Sequence, residues 1–266
     1  MSRRWGDALA TAGFLVRRGS GLVRRGLSSL RTRGLGATWE RVRAQFTPAA
    51  PAPEVAPWHP GDAPFTPFAV PTSASPVASI VIPVHGQFVH TLACLRALAA
   101  HPPTTPFEVI VVDDASPDDT AVLLPQVTGI RHHRRATNGG FVAACNDGAA
   151  LARGAYLVLL NNDTIPQPGW LEALLATFRD EPRVGLAGAH LLYPDGRLQE
   201  AGGVVFSDGS AWNYGRRGAA DDPRFAYLRD CDYASGAAIA LPRALFERLG
   251  GFDARYAPGY YEDTDL

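Results

Sequence analysis

The chain contains no lysine: all 25 basic residues among its 266 are arginine. That absence removes the Gly-x-x-x-x-Gly-Lys-Ser/Thr loop with which ATPases cradle phosphates. Cysteine is scarce as well. Cys94, Cys145 and Cys231 are odd in number, far apart and free of any Cys-x-x-Cys pair, so neither a disulfide framework nor a structural zinc site is expected, and the usage suits a reducing compartment. No uninterrupted apolar run reaches the roughly 18 residues of a membrane-spanning helix. The basic N-terminus has one apolar stretch, Ala8 to Val16, broken by Thr11 and Gly13 and lacking a cleavage site, so it reads as retained rather than as a signal peptide. The first predicted strand is not followed by Gly-x-Gly-x-x-Gly, which disfavours a dinucleotide oxidoreductase.

What is present is unevenly distributed. The net charge of −1 hides ten arginines in residues 1–46 beside only Asp7 and Glu40, an arm of +8 joined to a body of −9. The arm mixes Arg pairs with Trp5, Leu9, Phe14, Leu22 and Leu30, a composition suited either to an amphipathic helix on anionic lipid or to a solvated extension. Its seven glycines weaken the helix. Nine prolines between Pro48 and Pro76 then predict an extended linker over 47–76. The folded domain is expected over 77–266, and nothing in it points to nucleic-acid binding.

With 46% hydrophobic residues this body can bury a core. Short apolar segments at 78–82, 107–112, 156–160 and 184–187 alternate with helical patterns at 87–100, 119–127, 139–152 and 169–179. Wholly apolar strands separated by helices predict an α/β fold with a mostly parallel sheet covered on both faces, and ligands of such sheets bind beyond the carboxyl ends of the strands. At those ends lie Pro83-Val84-His85-Gly86, then Asp113-Asp114-Ala115-Ser116-Pro117-Asp118-Asp119, then Asn161-Asn162-Asp163. Turns and helix caps account for Ser116 and Asp118. They do not account for two adjacent acids closing a buried strand, where repulsion and desolvation are costly without a cation or donor. Asn138-Gly139-Gly140-Phe141 opens a helix whose bare amides could face an anion.

Taken in order, Ile80-Val81-Ile82-Pro83-Val84, Val111-Val112-Asp113-Asp114, Asn138-Gly139-Gly140-Phe141 with Asn146-Asp147-Gly148, Leu159-Leu160-Asn161-Asn162-Asp163, Leu191-Leu192-Tyr193-Pro194-Asp195-Gly196, Ser235-Gly236-Ala237, Gly250-Gly251-Phe252-Asp253 and Tyr261-Glu262-Asp263 resemble the family 2 glycosyltransferases of the GT-A fold. The resemblance covers residues 77–266 and is strongest to the bacterial rhamnosyltransferase-like branch. It implies a three-layer α/β/α sandwich and an inverting enzyme that moves a sugar from a nucleotide-diphosphate donor of the UDP or dTDP type to a hydroxyl of a glycan or lipid-linked acceptor. The cysteine usage and the basic arm, rather than the resemblance, set the expectation of work at the cytoplasmic side, with the arm as a peripheral contact on the inner membrane face. Relatives continue with a further helix, so the chain is expected to be part of a longer protein.

The resemblance implies roles residue by residue. Asp113 and Asp114 would bind base and ribose, with Pro83, Ser116, Asn138, Gly140, Asn162 and Gly236 also at the donor. Asp163 would hold a divalent cation, Mg²⁺ or Mn²⁺, on the diphosphate, although Asn161 and Asn162 stand where other members carry acids. His85 would stack on the base or serve the turn. Glu262 and Asp263 would be the catalytic acids, Asp263 the general base. Two other readings remain: a nucleotide-sugar- or carbohydrate-binding module without catalysis, and a nucleotidyltransferase, the latter disfavoured because no glycine-rich loop with a basic residue follows the first strand.

Overall fold

The computed structural model describes residues 65–266; the Arg-rich arm and the first part of the proline-rich segment lie outside the described residues. One six-stranded sheet organises the domain. Its strands are β1 (Ala78–Val84), β2 (Phe107–Asp113), β3 (Arg131–Arg134), β4 (Tyr156–Leu160), β5 (Ala187–Gly188) and, last in sequence, β10 (Ala238–Pro242), in spatial order β3-β2-β1-β4-β10-β5. Pairing is parallel from β3 through β4, and β10 runs antiparallel to both its neighbours. β6 (Leu191–Leu192) with β7 (Leu198–Glu200), and β8 (Gly203–Val205) with β9 (Ala211–Asn213), form two small antiparallel ribbons.

The alternation of side chains along a strand divides the core in two. Ile80, Ile82, Val109, Val111, Val158 and Leu160 face a layer holding α1 (Phe88–Ala100) and α4 (Trp170–Asp180), which contribute Leu92, Leu95, Leu98, Leu171 and Leu174. Val81, Ile110, Val112, Leu157, Leu159 and Ile239 face α3 (Gly140–Leu151) and α5 (Arg243–Leu249), which contribute Val142, Cys145, Ala149 and Phe246. The result is the expected α/β/α sandwich. Gly148 of α3 lies against Val81 and Val112 so closely that a Cβ there would collide with both.

Several elements differ from the sequence pattern: the strand expected at 184–187 is the two-residue β5, and β6 to β10 had no counterpart in it. β3 reads Arg-His-His-Arg, with no apolar signal; it is the edge of the sheet, where charged side chains blunt further pairing. Residues 65–76, expected as linker, instead pack on the domain. The Val70 amide donates to the Thr128 carbonyl at 2.9 Å, Val70 is 2% exposed, and Phe65 and Phe68 lie on the α1 side of the core. Proline without a donor can line a sheet edge while its apolar neighbours anchor it, so proline density alone did not mark the boundary.

The strand order places β2 on one side of β1 and β4 on the other, so the chain reverses direction across the sheet between β1 and β4. Crevices at such a switch point, beyond the carboxyl ends of the strands, are the ligand sites of this architecture. β10 is antiparallel, so its beginning, Ser235-Gly236-Ala237, reaches that same rim, and the Asn161 amide donates to the Ala237 carbonyl at 2.9 Å.

Candidate active site

The rim holds two groups of residues. The first is built on β1, β2 and the start of α3. Asp113 is fully buried; its carboxylate accepts from the Ser116 amide at 2.8 Å and pairs with Arg134 of β3. Burial would raise its pKa, but the hydrogen bonds from Ser116 and Arg134 outweigh that and hold it below the ordinary value. Ser116 in turn accepts from the Gly86 amide at 2.8 Å, locking the β1 and β2 loops together. Asp114, 3% exposed, accepts from the amides of Gly139 at 2.9 Å and Gly140 at 2.7 Å and from Arg135 at 2.6 Å. Arg135 also reaches Asp147 at 2.6 Å.

This changes several expectations. The bare amides at the start of α3 do meet an anion, and it is the protein's own Asp114. Gly140 takes φ 83°, and a Cβ there would lie 2.6 Å from the Pro258 carbonyl oxygen, so its glycine serves the fold. Pro83 is buried within β1. Pro83, Asp113, Asp114 and Ser116 are buried, and the hydrogen bonds described engage both carboxylates and the Ser116 hydroxyl within the rim. His85 and Asn138 are the exposed members. His85 Nδ1 lies 2.8 Å from the Asp114 carbonyl and Asn138 Nδ2 lies 3.1 Å from Nε2, which assigns the proton to Nδ1.

The second group gathers around the start of β10 and α6 (Glu262–Asp265). Asp163 is exposed just beyond β4, and Asn162 donates to Thr91 at 2.9 Å. Asn161 Oδ1 is buried without a hydrogen-bond partner among the described residues. The Gly236 amide donates to Asp263 at 2.9 Å; a Cβ on Gly236 would meet neighbours only at 3.5 Å, so glycine there is not imposed by crowding, and what the residue supplies is its amide. Glu262 is 6% exposed, its Oε2 has no partner among the described residues, and burial, with Asp263 next to it, raises its pKa. Tyr260 and Tyr261 precede it at φ 82° and 72°, a left-handed conformation costing a non-glycine residue about 1–2 kcal/mol. Strain of this kind collects where a backbone must aim a side chain. Asn146 of α3 fastens the preceding Gly251-Phe252 turn, accepting from the Phe252 amide and donating to its carbonyl, both at 2.9 Å.

Asp263 lines a cavity of about 240 Å³ together with Glu200, Asn213, Tyr233, Ser235, Tyr260 and Tyr261. Glu200, at the end of β7, is the residue that sequence reading missed. It is 1% exposed, accepts from the Ser235 amide at 2.7 Å and carries a pKa pushed up to about 6 by burial, with Asp263 nearby adding to the effect. Its strand, Leu198-Gln199-Glu200, is too short to show a period.

Among the described residues no three His, Cys, Asp or Glu side chains cluster as a metal site. Asp163 and the unpartnered Asn161 Oδ1 are oxygen donors, the chemistry a hard divalent ion prefers, but too few to hold one without oxygens from a ligand.

Residues 79–249 match the model of the glycosyl transferase family 2, and the chain belongs to that family. Its curated relatives include the uncharacterized protein y4gI of Sinorhizobium fredii, 30% identical over 74% of this chain and 23% of that protein. The O-antigen biosynthesis protein RfbC of Myxococcus xanthus is 32% identical over 70% of this chain and 15% of its own length. The chain thus spans less than a quarter of either. The fold matches the mannosyltransferase PcManGT of Pyrobaculum calidifontis, solved with GDP-Man and Mn²⁺, at a TM-score of 0.51 and 19% identity over 85% of this chain and 56% of that one. It also matches GalNAc-T7, solved with UDP, GalNAc and Mn²⁺, at 0.54 and 16% identity over 71% and 38%.

Proposed function

We propose that this domain is an inverting, metal-assisted glycosyltransferase that carries a sugar from a nucleotide-diphosphate donor to a hydroxyl of a glycan or lipid-linked acceptor. The observation that carries the reading is Asp263: a carboxylate fixed by the Gly236 amide, lining a cavity at the switch-point rim. The nucleotide, of the UDP or dTDP kind, lies across the exposed His85 and Asn138, on a floor kept rigid by Asp113, Asp114 and Ser116. Asp163 and Asn161 would hold a divalent cation, Mg²⁺ or Mn²⁺, which supplies charge neutralisation for the departing diphosphate. An acceptor hydroxyl in the cavity gives its proton to Asp263 as its oxygen attacks the anomeric carbon. With one base and direct attack, the configuration inverts. Glu262, buried beside Asp263 with one carboxylate oxygen unpartnered among the described residues, is the second acid of the pair.

The Arg-rich arm then fits a peripheral hold on the inner membrane face near a lipid-linked acceptor; among the described residues no helix is long and apolar enough to cross a membrane. Calorimetry with UDP- and dTDP-sugars, with and without Mn²⁺, tests the donor claim: metal-dependent binding of at least one is expected, and binding of none would overturn it. Release of pyrophosphate would point to a nucleotidyltransferase, and donor binding with no transfer under any condition to a binding module.

A further inference from the structure

Successive amides of one loop hold two carboxylates. Ser235 donates to Glu200 and Gly236 to Asp263, at 2.7 and 2.9 Å, so β7 and α6 deliver two acids side by side into one cavity. Glu200 is 1% exposed, yet its Oε2 has no hydrogen-bond partner among the described residues. Leaving such an oxygen unsatisfied is destabilising. The chain can compensate a buried glutamate: Glu108, 2% exposed, receives Ser79 at 2.7 Å, Arg131 at 3.0 Å and Arg153 at 2.8 Å. At Glu200 it does not, and none of the described residues lining the cavity is basic.

We propose that Glu200 recognises the acceptor: its free Oε2 receives a hydrogen bond from a hydroxyl of a neutral sugar ring seated against Tyr233, Tyr260 and Tyr261, beside the hydroxyl that Asp263 deprotonates. This rests on the glycosyltransferase reading and deepens it. The chemistry of the cavity selects the ligand class. Two carboxylates with no basic residue in the lining disfavour phosphate or uronate groups in this cavity, whereas hydroxyls are the donors a carboxylate lacks here. The walls are amphipathic rings, which cover the apolar face of a sugar while leaving its edges to polar partners. A volume of about 240 Å³ equals roughly eight waters, room for one ring. A raised pKa, about 6, agrees with a carboxylate that gains from a donor arriving with the ligand.

The test uses the full chain, Mn²⁺, a panel of UDP- and dTDP-sugars, and the octyl glycosides of glucose, galactose, mannose, rhamnose and glucuronic acid as acceptors. Glu200→Gln keeps an oxygen for the Ser235 amide and replaces Oε2 with a donor. The variant is expected to raise KM for the neutral glycosides about tenfold or more, with a smaller effect on kcat and no change in calorimetric donor affinity, while Glu200→Asp recovers part of the loss. Wild-type enzyme is expected to reject the glucuronide. An unchanged acceptor KM in Glu200→Gln, glucuronide used as well as glucoside, or donor consumption without glycosylation of any neutral glycoside would each overturn the assignment and leave the transferase reading standing. If no nucleotide sugar is bound or consumed, both fall together.

Discussion

The two acidic groups on this rim are built on opposite terms. On the β1–β2 side Asp113 and Asp114 each have an arginine partner, Arg134 and Arg135, and each also takes at least one backbone amide. On the β10–α6 side Glu200 takes the Ser235 amide and Asp263 takes the Gly236 amide and the Thr264 hydroxyl, no described arginine pairs with these acids or with Glu262, and buried oxygens of Glu200, Glu262 and Asn161 are left without partners among the described residues. The direction of the pKa shifts follows: down for Asp113, up for Glu200 and Glu262. A compensated acid offsets its own desolvation, so removing its partner is destabilising; an uncompensated one is costly unless a ligand uses it. The acid-rich motif after β2 is thus held by the protein's own donors, and the function proposed above assigns it the floor of the donor site and assigns the proton transfer to the other side.

That contrast can be broken at several points. The largest effect is expected from Asp263→Asn, which should cut transfer by about 10²–10⁴-fold with donor affinity intact in calorimetry; a wild-type rate would remove Asp263 as the base. Next comes Arg134→Ala, which strands the buried Asp113 carboxylate. Because Arg134 is itself half exposed and Ser116 remains, the loss should be about 2–3 kcal/mol in urea denaturation at pH 7. Part of that loss should vanish in acid, since stability drawn from a lowered carboxylate pKa is present above its unfolded value and disappears as pH falls through the folded one.

Glu200→Gln should act in the opposite direction. The folded pKa, about 6, lies above the ordinary value of 4.5, so between these the folded state binds the extra proton. Its stabilising share is complete below about 4.5 and lost as pH rises through 6. The variant should therefore be more stable than wild type by about 2 kcal/mol at pH 8 and indistinguishable near pH 4. Equal stability at both pH values would show that Glu200 is compensated after all. The smallest effect is expected on the surface: Arg224→Ala removes an exposed pair with Asp222 and should leave the melting temperature unmoved.

Much of this was legible in the linear chain. Strands β1, β2 and β4 carry apolar residues on both faces, and a run such as Ile80-Val81-Ile82 can be stable only inside a covered sheet. The ordered acids, asparagines and glycines placed Asp163, Asn138 and Asp263 at one rim. β3 and β7 were not legible, because Arg131–Arg134 and Leu198–Glu200 are short and held by neighbours rather than by their own periodicity. Nor could the chain reveal that the Asp114 partner is the helix start at Gly139 and Gly140, 25 residues away, rather than a bound phosphate.

The sequence by itself determined the α/β class, the succession of elements and the residue types at the strand ends, because hydrophobic periodicity and turn chemistry are local properties. Only the tertiary structure decided which acids are neutralised. Coulomb attraction and hydrogen bonding act over a few ångströms of space, not along the chain, so it took the pairing of β2 with β3 to bring Arg134 to Asp113. It took the antiparallel insertion of β10 to set Glu200 beside Asp263 with no arginine between them.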